Sequence, residues 1–240
     1  MMTVHKLLFV IYPYICLAVF LMGSLARFDR DQYTWKSDSS QMLRARQLRW
    51  GSNLFHIGIL FLFFGHSIGL LTPHWVYEPF IAPAQKQILA VVAGGVAGAV
   101  CFVGLTLLLQ RRIFDPRIRL TSHRTDLAIL VILWFQLMLG LATLPFSLDH
   151  SDGSVMLVLS EWAQRIFTLR PEASALVALA WPYKVHLVLG MTIFLLFPFS
   201  RLVHVWSGFA SITYLLRPYQ VVRSRRLNVP AGQNQPGRAA

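Results

Sequence analysis

Residues 51–71 read GSNLFHIGILFLFFGHSIGLL, with no Lys, Arg, Asp or Glu among them. A run of this length matches the roughly 20 apolar residues an α-helix needs to cross a bilayer core of about 30 Å. Yet it contains His56 and His66. Ionisable groups inside a membrane are costly and usually functional. One segment therefore suggests both the class of fold and the kind of site.

Four further stretches reach the same length: Leu7–Ala26, Ile88–Leu109, Leu127–Phe146 and Val185–Trp206. Each is bounded by charge, proline or both. The composition agrees: apolar residues make up 55% of the 240, charged residues 13%, and mean hydropathy is +0.54. Soluble domains carry roughly 25% charged residues. An ordinary soluble globule and a disordered chain are excluded, and two cysteines exclude a disulfide framework or zinc ribbon. The first stretch resembles a secretory signal, but its apolar run is too long and basic residues follow at once, so it reads as a retained helix. The expected fold is all-α: an integral membrane bundle of five transmembrane helices in one domain, residues 1–227. Residues 228–240, rich in Pro, Gly, Gln and Asn, read as a disordered cytoplasmic tail.

The net charge of +12 is read as membrane topology, with no nucleic-acid partner. Arg27, Arg30, Lys36, Arg44, Arg46 and Arg49 fall in the first connection. Arg111, Arg112, Arg117, Arg119 and Arg124 fall in the third, and Arg201, Arg217, Arg223, Arg225, Arg226 and Arg238 lie on the C-terminal side. Only Lys6, Lys86, Arg165, Arg170 and Lys184 fall on the other side. The positive-inside rule then puts the N-terminus outside and the C-terminus in the cytoplasm. Between spans four and five, Val155, Val158, Leu159, Trp162, Ile166 and Leu169 recur at helical spacing. They predict an amphipathic helix on the outer interface. Trp35, Trp50, Trp75, Trp162 and Trp206 read mostly as interfacial anchors.

His186 and His204 lie in span five. Spans two and five run in opposite directions, so the four histidines form two pairs at two depths: His66 with His186, and His56 with His204. At about 1.5 Å per residue the separation is roughly 15 Å on span two and 27 Å on span five. The mismatch requires tilt or a kink, for which Pro198 is placed. Eighteen residues at about 100° each would put His186 and His204 on one face of a continuous helix. A flat macrocycle with two axial imidazoles fits each pair, and haem iron is commonly held by His. Zinc, which wants four ligands at one point, fits two separated pairs less well. A histidine proton relay without haem remains a different reading of the same residues.

The chain resembles a known family, the membrane-embedded gamma subunit of respiratory nitrate reductase, a di-haem cytochrome b. The motifs that carry the resemblance are Ile11-Tyr12-Pro13-Tyr14, Gln32-Tyr33-Thr34-Trp35 and Ser39-Ser40-Gln41-Met42-Leu43. They continue with Ser52-Asn53-Leu54-Phe55-His56-Ile57-Gly58, Gly65-His66 and Leu71-Thr72-Pro73-His74-Trp75. The longest is His186-Leu187-Val188-Leu189-Gly190-Met191-Thr192, then Phe197-Pro198-Phe199-Ser200-Arg201-Leu202 and His204. The likeness covers roughly residues 8–225.

The resemblance implies a multi-pass protein of the bacterial cytoplasmic (inner) membrane with two haem b groups. His66 and His186 would hold the iron of a distal haem, and His56 and His204 that of a proximal haem. Menaquinol or ubiquinol would be oxidised near the outer face, at a site including Lys86, Gly65 and His66, with proton release outside. Electrons would pass to an iron–sulfur beta subunit on the cytoplasmic side, and on to a molybdenum-containing alpha subunit that reduces nitrate. Phe28 stands where better-known members have Tyr, which bears on the quinol pocket. Arg112, at a cytoplasmic helix end, is a candidate partner for a haem propionate, since Arg suits carboxylates. A related di-haem subunit of a sulfur or heterodisulfide-type complex is the nearest competing assignment.

Overall fold

The computed structural model describes residues 2–30, 43–149 and 151–207. The expected tail, and the motifs at 32–35 and 39–42, lie outside the described residues. Five helices are long and apolar enough to cross a membrane: Thr3–Arg30, Ala45–Leu71, Pro83–Phe114, Arg124–Asp149 and Trp181–Phe199. They are spans one to five below. No strand occurs among the described residues. The helices run past their apolar stretches because polar flanks continue the backbone ladder. Span three, for example, begins with Pro83 at its first turn and ends on Arg111, Arg112 and Phe114.

Spans two and three are antiparallel and almost touch. A Cβ on Gly58 would stand 2.6 Å from the Cβ of Cys101, and one on Gly104 would run into the Phe55 amide and stand 2.8 Å from the Gly51 carbonyl. Small residues allow this close backbone approach, which drives helix association where no water can. Cys101, 1% exposed, serves as a small core residue in this seam, its thiol directed at the Phe55 carbonyl. Gly58 is thus explained by helix packing.

This register puts His56 toward one end of the bundle and His66 toward the other. Arg27, Arg44, Arg111, Arg112 and Arg201 gather at the His56 end. Lys86 lies beyond His66 at the opposite end, about six residues past the point where span three faces it. There the segment Ser154–Phe167 forms the expected amphipathic helix. Its apolar face, Val155, Trp162, Ala163 and Ile166, is buried against the bundle. Trp162 is a core residue rather than an interfacial anchor: its indole N–H donates to the Phe9 carbonyl at 2.9 Å. Phe9 sits in a π-helical turn, Leu7–Ile11. Such a turn disturbs the i→i−4 ladder and leaves a carbonyl for an outside donor. Leu169 does not extend the apolar face. The helix stops at Phe167, and Leu169 adopts a left-handed conformation (φ 58°) and is exposed.

Span five departs from the continuous helix expected over 185–206. The α-helix ends at Leu196, followed by 3₁₀ turns at Phe197–Phe199 and Arg201–Val203, with extended Ser200 between them. Pro198 is the cause: it has no N–H to donate, and its ring clashes with the carbonyl four residues earlier in a continuous helix. The freed groups are satisfied locally. The Arg27 guanidinium donates to the carbonyls of Pro198 and Ser200 at 2.7 and 3.0 Å, and the Ser200 hydroxyl accepts from the Leu202 amide. The orientation of His204 is therefore set by this break rather than by an 18-residue helical period.

Candidate functional site: two facing histidine pairs

Span two is the least covered of the five: 6% of its most apolar window is buried, against 17–28% for the others. His56 and His66 lie on it as exposed side chains. Each faces a histidine from the fifth span or its broken end. The ring centroids of His66 and His186 are 6.4 Å apart with 40° between planes; those of His56 and His204 are also 6.4 Å apart, with 74° between planes.

The separation is chemically informative. A ring nitrogen lies about 1.1 Å from its ring centre, and a metal–imidazole bond is about 2.0–2.1 Å long. Two imidazoles on opposite sides of one metal ion therefore have centroids about 6.3 Å apart. Both observed separations match that spacing, so each pair would hold one ion between its rings. Among the described residues no group of three or more His, Cys, Asp or Glu converges on one point. Each pair offers two ligands, so the rest of a coordination sphere must come from elsewhere, as a macrocycle supplies it.

The hydrogen bonds fix the tautomers. His56 Nδ1 lies 2.7 Å from the Ser52 carbonyl, His66 Nδ1 2.8 Å from that of Leu62, His186 Nδ1 3.1 Å from that of Gln136, and His204 Nδ1 2.6 Å from that of Arg201. A carbonyl only accepts, so each Nδ1 carries the proton and each Nε2 keeps its lone pair. Metal-bound histidines almost always show this arrangement, the outer nitrogen donating to a carbonyl or carboxylate.

At the arginine-rich end, Asp126 is buried, and its Oδ2 lies 3.5 Å from the guanidinium nitrogens of both Arg112 and Arg201. Arg112 thus has a carboxylate partner within the fold, and the two arginines together exceed its charge by one. Arg111 donates to the Leu43 carbonyl at 2.7 Å. At the opposite end, the Lys86 ammonium stacks 3.6 Å from the centre of the Tyr77 ring. Neither Lys86 Nζ nor the Tyr77 hydroxyl has a hydrogen-bond partner among the described residues. Burial pushes the Tyr77 phenol up from its ordinary value, with Glu78 adding to the shift, so it stays a neutral donor. A Cβ at Gly65 would meet nothing within 4 Å, so the backbone beside His66 is open. Phe28, by contrast, sits in the last turn of span one beside Arg27. That is roughly 28 Å along the helix from Phe9, at the end away from Lys86. The structure therefore places the Phe28 difference away from Lys86.

Gln136, absent from the sequence reading, lies in the centre of span four against His186. Nothing in its local pattern distinguishes it, apart from being a carboxamide within an apolar run.

The comparisons with known proteins identify the family. The family model described as nitrate reductase gamma subunit matches residues 5–225. The chain is 51% identical over 226 residues to the respiratory nitrate reductase 1 gamma chain of Escherichia coli (strain K12), covering 94% of this chain and all of that one. It is 54% identical over 217 residues to the respiratory nitrate reductase 2 gamma chain of the same strain, covering 90% and 95%. With the nitrate reductase gamma chain of Bacillus subtilis (strain 168) it shares 37% over 221 residues, covering 92% and 98%. Matches over nearly the whole length of both partners leave the assignment plain: the chain belongs to the nitrate reductase gamma-subunit family.

Proposed function

We propose that this chain is the quinol-oxidising di-haem b subunit of a respiratory nitrate reductase, embedded in the cytoplasmic membrane with its arginine-rich end inside. The carrying observation is the two facing imidazole pairs, each spaced for one axially ligated metal and each with every Nδ1 engaged by a carbonyl. His66 and His186 hold a distal haem b, and His56 and His204 a proximal one. When bound, the two haems supply one-electron steps between quinol and the iron–sulfur beta subunit, which serves the molybdenum-containing alpha subunit. Nitrate is reduced in that partner and not in this chain.

The protein's own contribution is position and charge. Lys86 lies at the distal end as an ammonium held, among the described residues, by the Tyr77 ring alone. A cation–π contact is worth about 0.5–2 kcal/mol, so the flexible lysine stem leaves it readily for a charge-assisted hydrogen bond to a quinol oxygen. Gly65 lets the headgroup of menaquinol or ubiquinol approach the backbone beside His66. Each quinol releases two protons as its two electrons depart, and Lys86, at the end opposite the arginines, favours their release outside. Arg112 and Arg201 each form half of a shared ion pair with Asp126, and their excess positive charge suits a proximal haem propionate.

A pyridine haemochrome assay on the purified, detergent-solubilised chain tests the reading. We expect about two haems b per chain, and one in variants lacking His66 or His186. Folded protein made with haem available but carrying none would overturn it.

A further inference from the structure

Three of the four histidines hydrogen-bond a carbonyl three or four residues earlier in their own segment. His186 does not. Its Nδ1 donates to Gln136 on span four at 3.1 Å, and the Gln136 side-chain amide donates back to the His186 carbonyl, also at 3.1 Å. This reciprocal pair joins two helices through one residue on each side. The same amide nitrogen also donates to His186 Nε2 at 3.4 Å, a long contact that the Nε2 lone pair would give up on binding a metal. The crossing is shaped to fit. A Cβ on Gly190 would stand 3.1 Å from the Gln136 amide nitrogen, and one on Gly140 would stand 3.0 Å from His186 Cε1. Gln136 Oε1 is buried with no partner among the described residues, so the amide is held by its nitrogen alone.

We infer that Gln136 is a positioning residue for the distal haem: span four, which supplies no ligand, fixes the tautomer, tilt and electrostatic surroundings of His186 through it. The inference rests on the proposal that His66 and His186 hold that haem. The physical argument has two parts. The backbone carbonyl of Gln136 fixes which ring nitrogen is free, and substitution leaves it in place. The side-chain amide locks the ring's backbone and directs an N–H dipole at the ligating edge. Such a dipole favours the reduced, less positive iron, because interactions are strong in a dry, low-dielectric site.

The test is a redox titration of both haems in membranes holding the full complex, with low-spin electron paramagnetic resonance of the oxidised state. Gln136→Met keeps the volume and removes the donor. We expect both haems to remain bound. The distal midpoint should fall by up to about 59 mV, a tenfold change in its reduced-to-oxidised ratio. The distal resonance should move, and the proximal haem should be unchanged. Gln136→Glu, which sets a second acceptor against the His186 carbonyl, should shift the distal haem further or lower its occupancy. An unchanged distal midpoint and resonance in Gln136→Met, or equal shifts in both haems, would overturn the inference. The underlying reading fails separately: His186→Ala keeping two haems would sink the ligand assignment itself.

Discussion

The two histidine pairs share a ring separation of 6.4 Å and a tautomer, yet they are supported differently. The His66–His186 pair sits among regular helices, where His186 is held across a helix crossing by Gln136, with Gly140 against its ring and Gly190 against the Gln136 amide. The His56–His204 pair sits at a charged end, where the helix is broken by Pro198 and its loose groups are tied by Arg27. Beside it lies the buried Asp126 between two arginines. If both pairs hold haem as proposed, the same ligand chemistry would be tuned by packing and neutral dipoles at one depth, and by full charges at the other. Changes of shape should act on the first pair, and changes of charge on the second.

The largest effect is expected where shape is tightest. A Cβ at Gly140 already stands 3.0 Å from the His186 ring. Gly140→Val adds branched methyl groups to a helix whose χ1 choices are few, and the ring must swing aside. We expect loss of most of the distal haem with the proximal haem retained, read as about half the haemochrome absorbance per chain. Gly94→Ala is the control, since nothing lies within 4 Å of a Cβ there. Equal loss of both haems in Gly140→Val would break the comparison, because the two depths would then respond as one packed unit.

A smaller and oppositely placed effect is expected from Asp126→Asn. The side chains of Asp126, Arg112 and Arg201 are 10%, 12% and 19% exposed, so screening is modest. Removing the carboxylate charge leaves two guanidiniums facing each other at a cost of about 3 kcal/mol, the low end for a buried pair because both contacts are long. It also leaves the proximal site more positive, which favours reduced iron. The proximal midpoint should rise while the distal one holds, within about 59 mV for a tenfold change in the ratio. A titration in which the distal haem moves more than the proximal would contradict the division between charge and shape.

Much of this was legible in the sequence, for reasons particular residues make clear. Five long apolar runs, four of them without a charge, can satisfy their backbones in lipid only as helices, so the spans follow directly. The pairing of His66 with His186 and His56 with His204 follows from opposite helix directions, and the structure brings those rings together. The local course of span five was not legible. Pro198 marks a kink, but the two 3₁₀ turns depend on Arg27 reaching from a helix about 170 residues earlier. The burial of Trp162 depends on a π turn at Phe9 that its local sequence does not announce. Gln136 escaped because its meaning lies in the residue opposite, and periodicity along one helix carries no information about a crossing.

The smallest effect sharpens the comparison most. His56 Nδ1 has two neighbours in its own helix, the Ser52 carbonyl at 2.7 Å and the Ser52 hydroxyl at 3.2 Å. Ser52→Ala removes only the longer contact, and the carbonyl still fixes the tautomer. A neutral hydrogen bond contributes about 0.5–1.5 kcal/mol net, and a secondary one belongs at the low end. The proximal haem should therefore stay bound, with a midpoint change smaller than that of the distal haem in Gln136→Met. Both tautomers are fixed by a backbone carbonyl, but at Ser52 the side chain adds one secondary contact, whereas at Gln136 the side-chain amide also holds the His186 backbone. A Ser52→Ala shift as large as the Gln136→Met shift would show that the two depths differ in how their supports are built but not in how strongly those supports act.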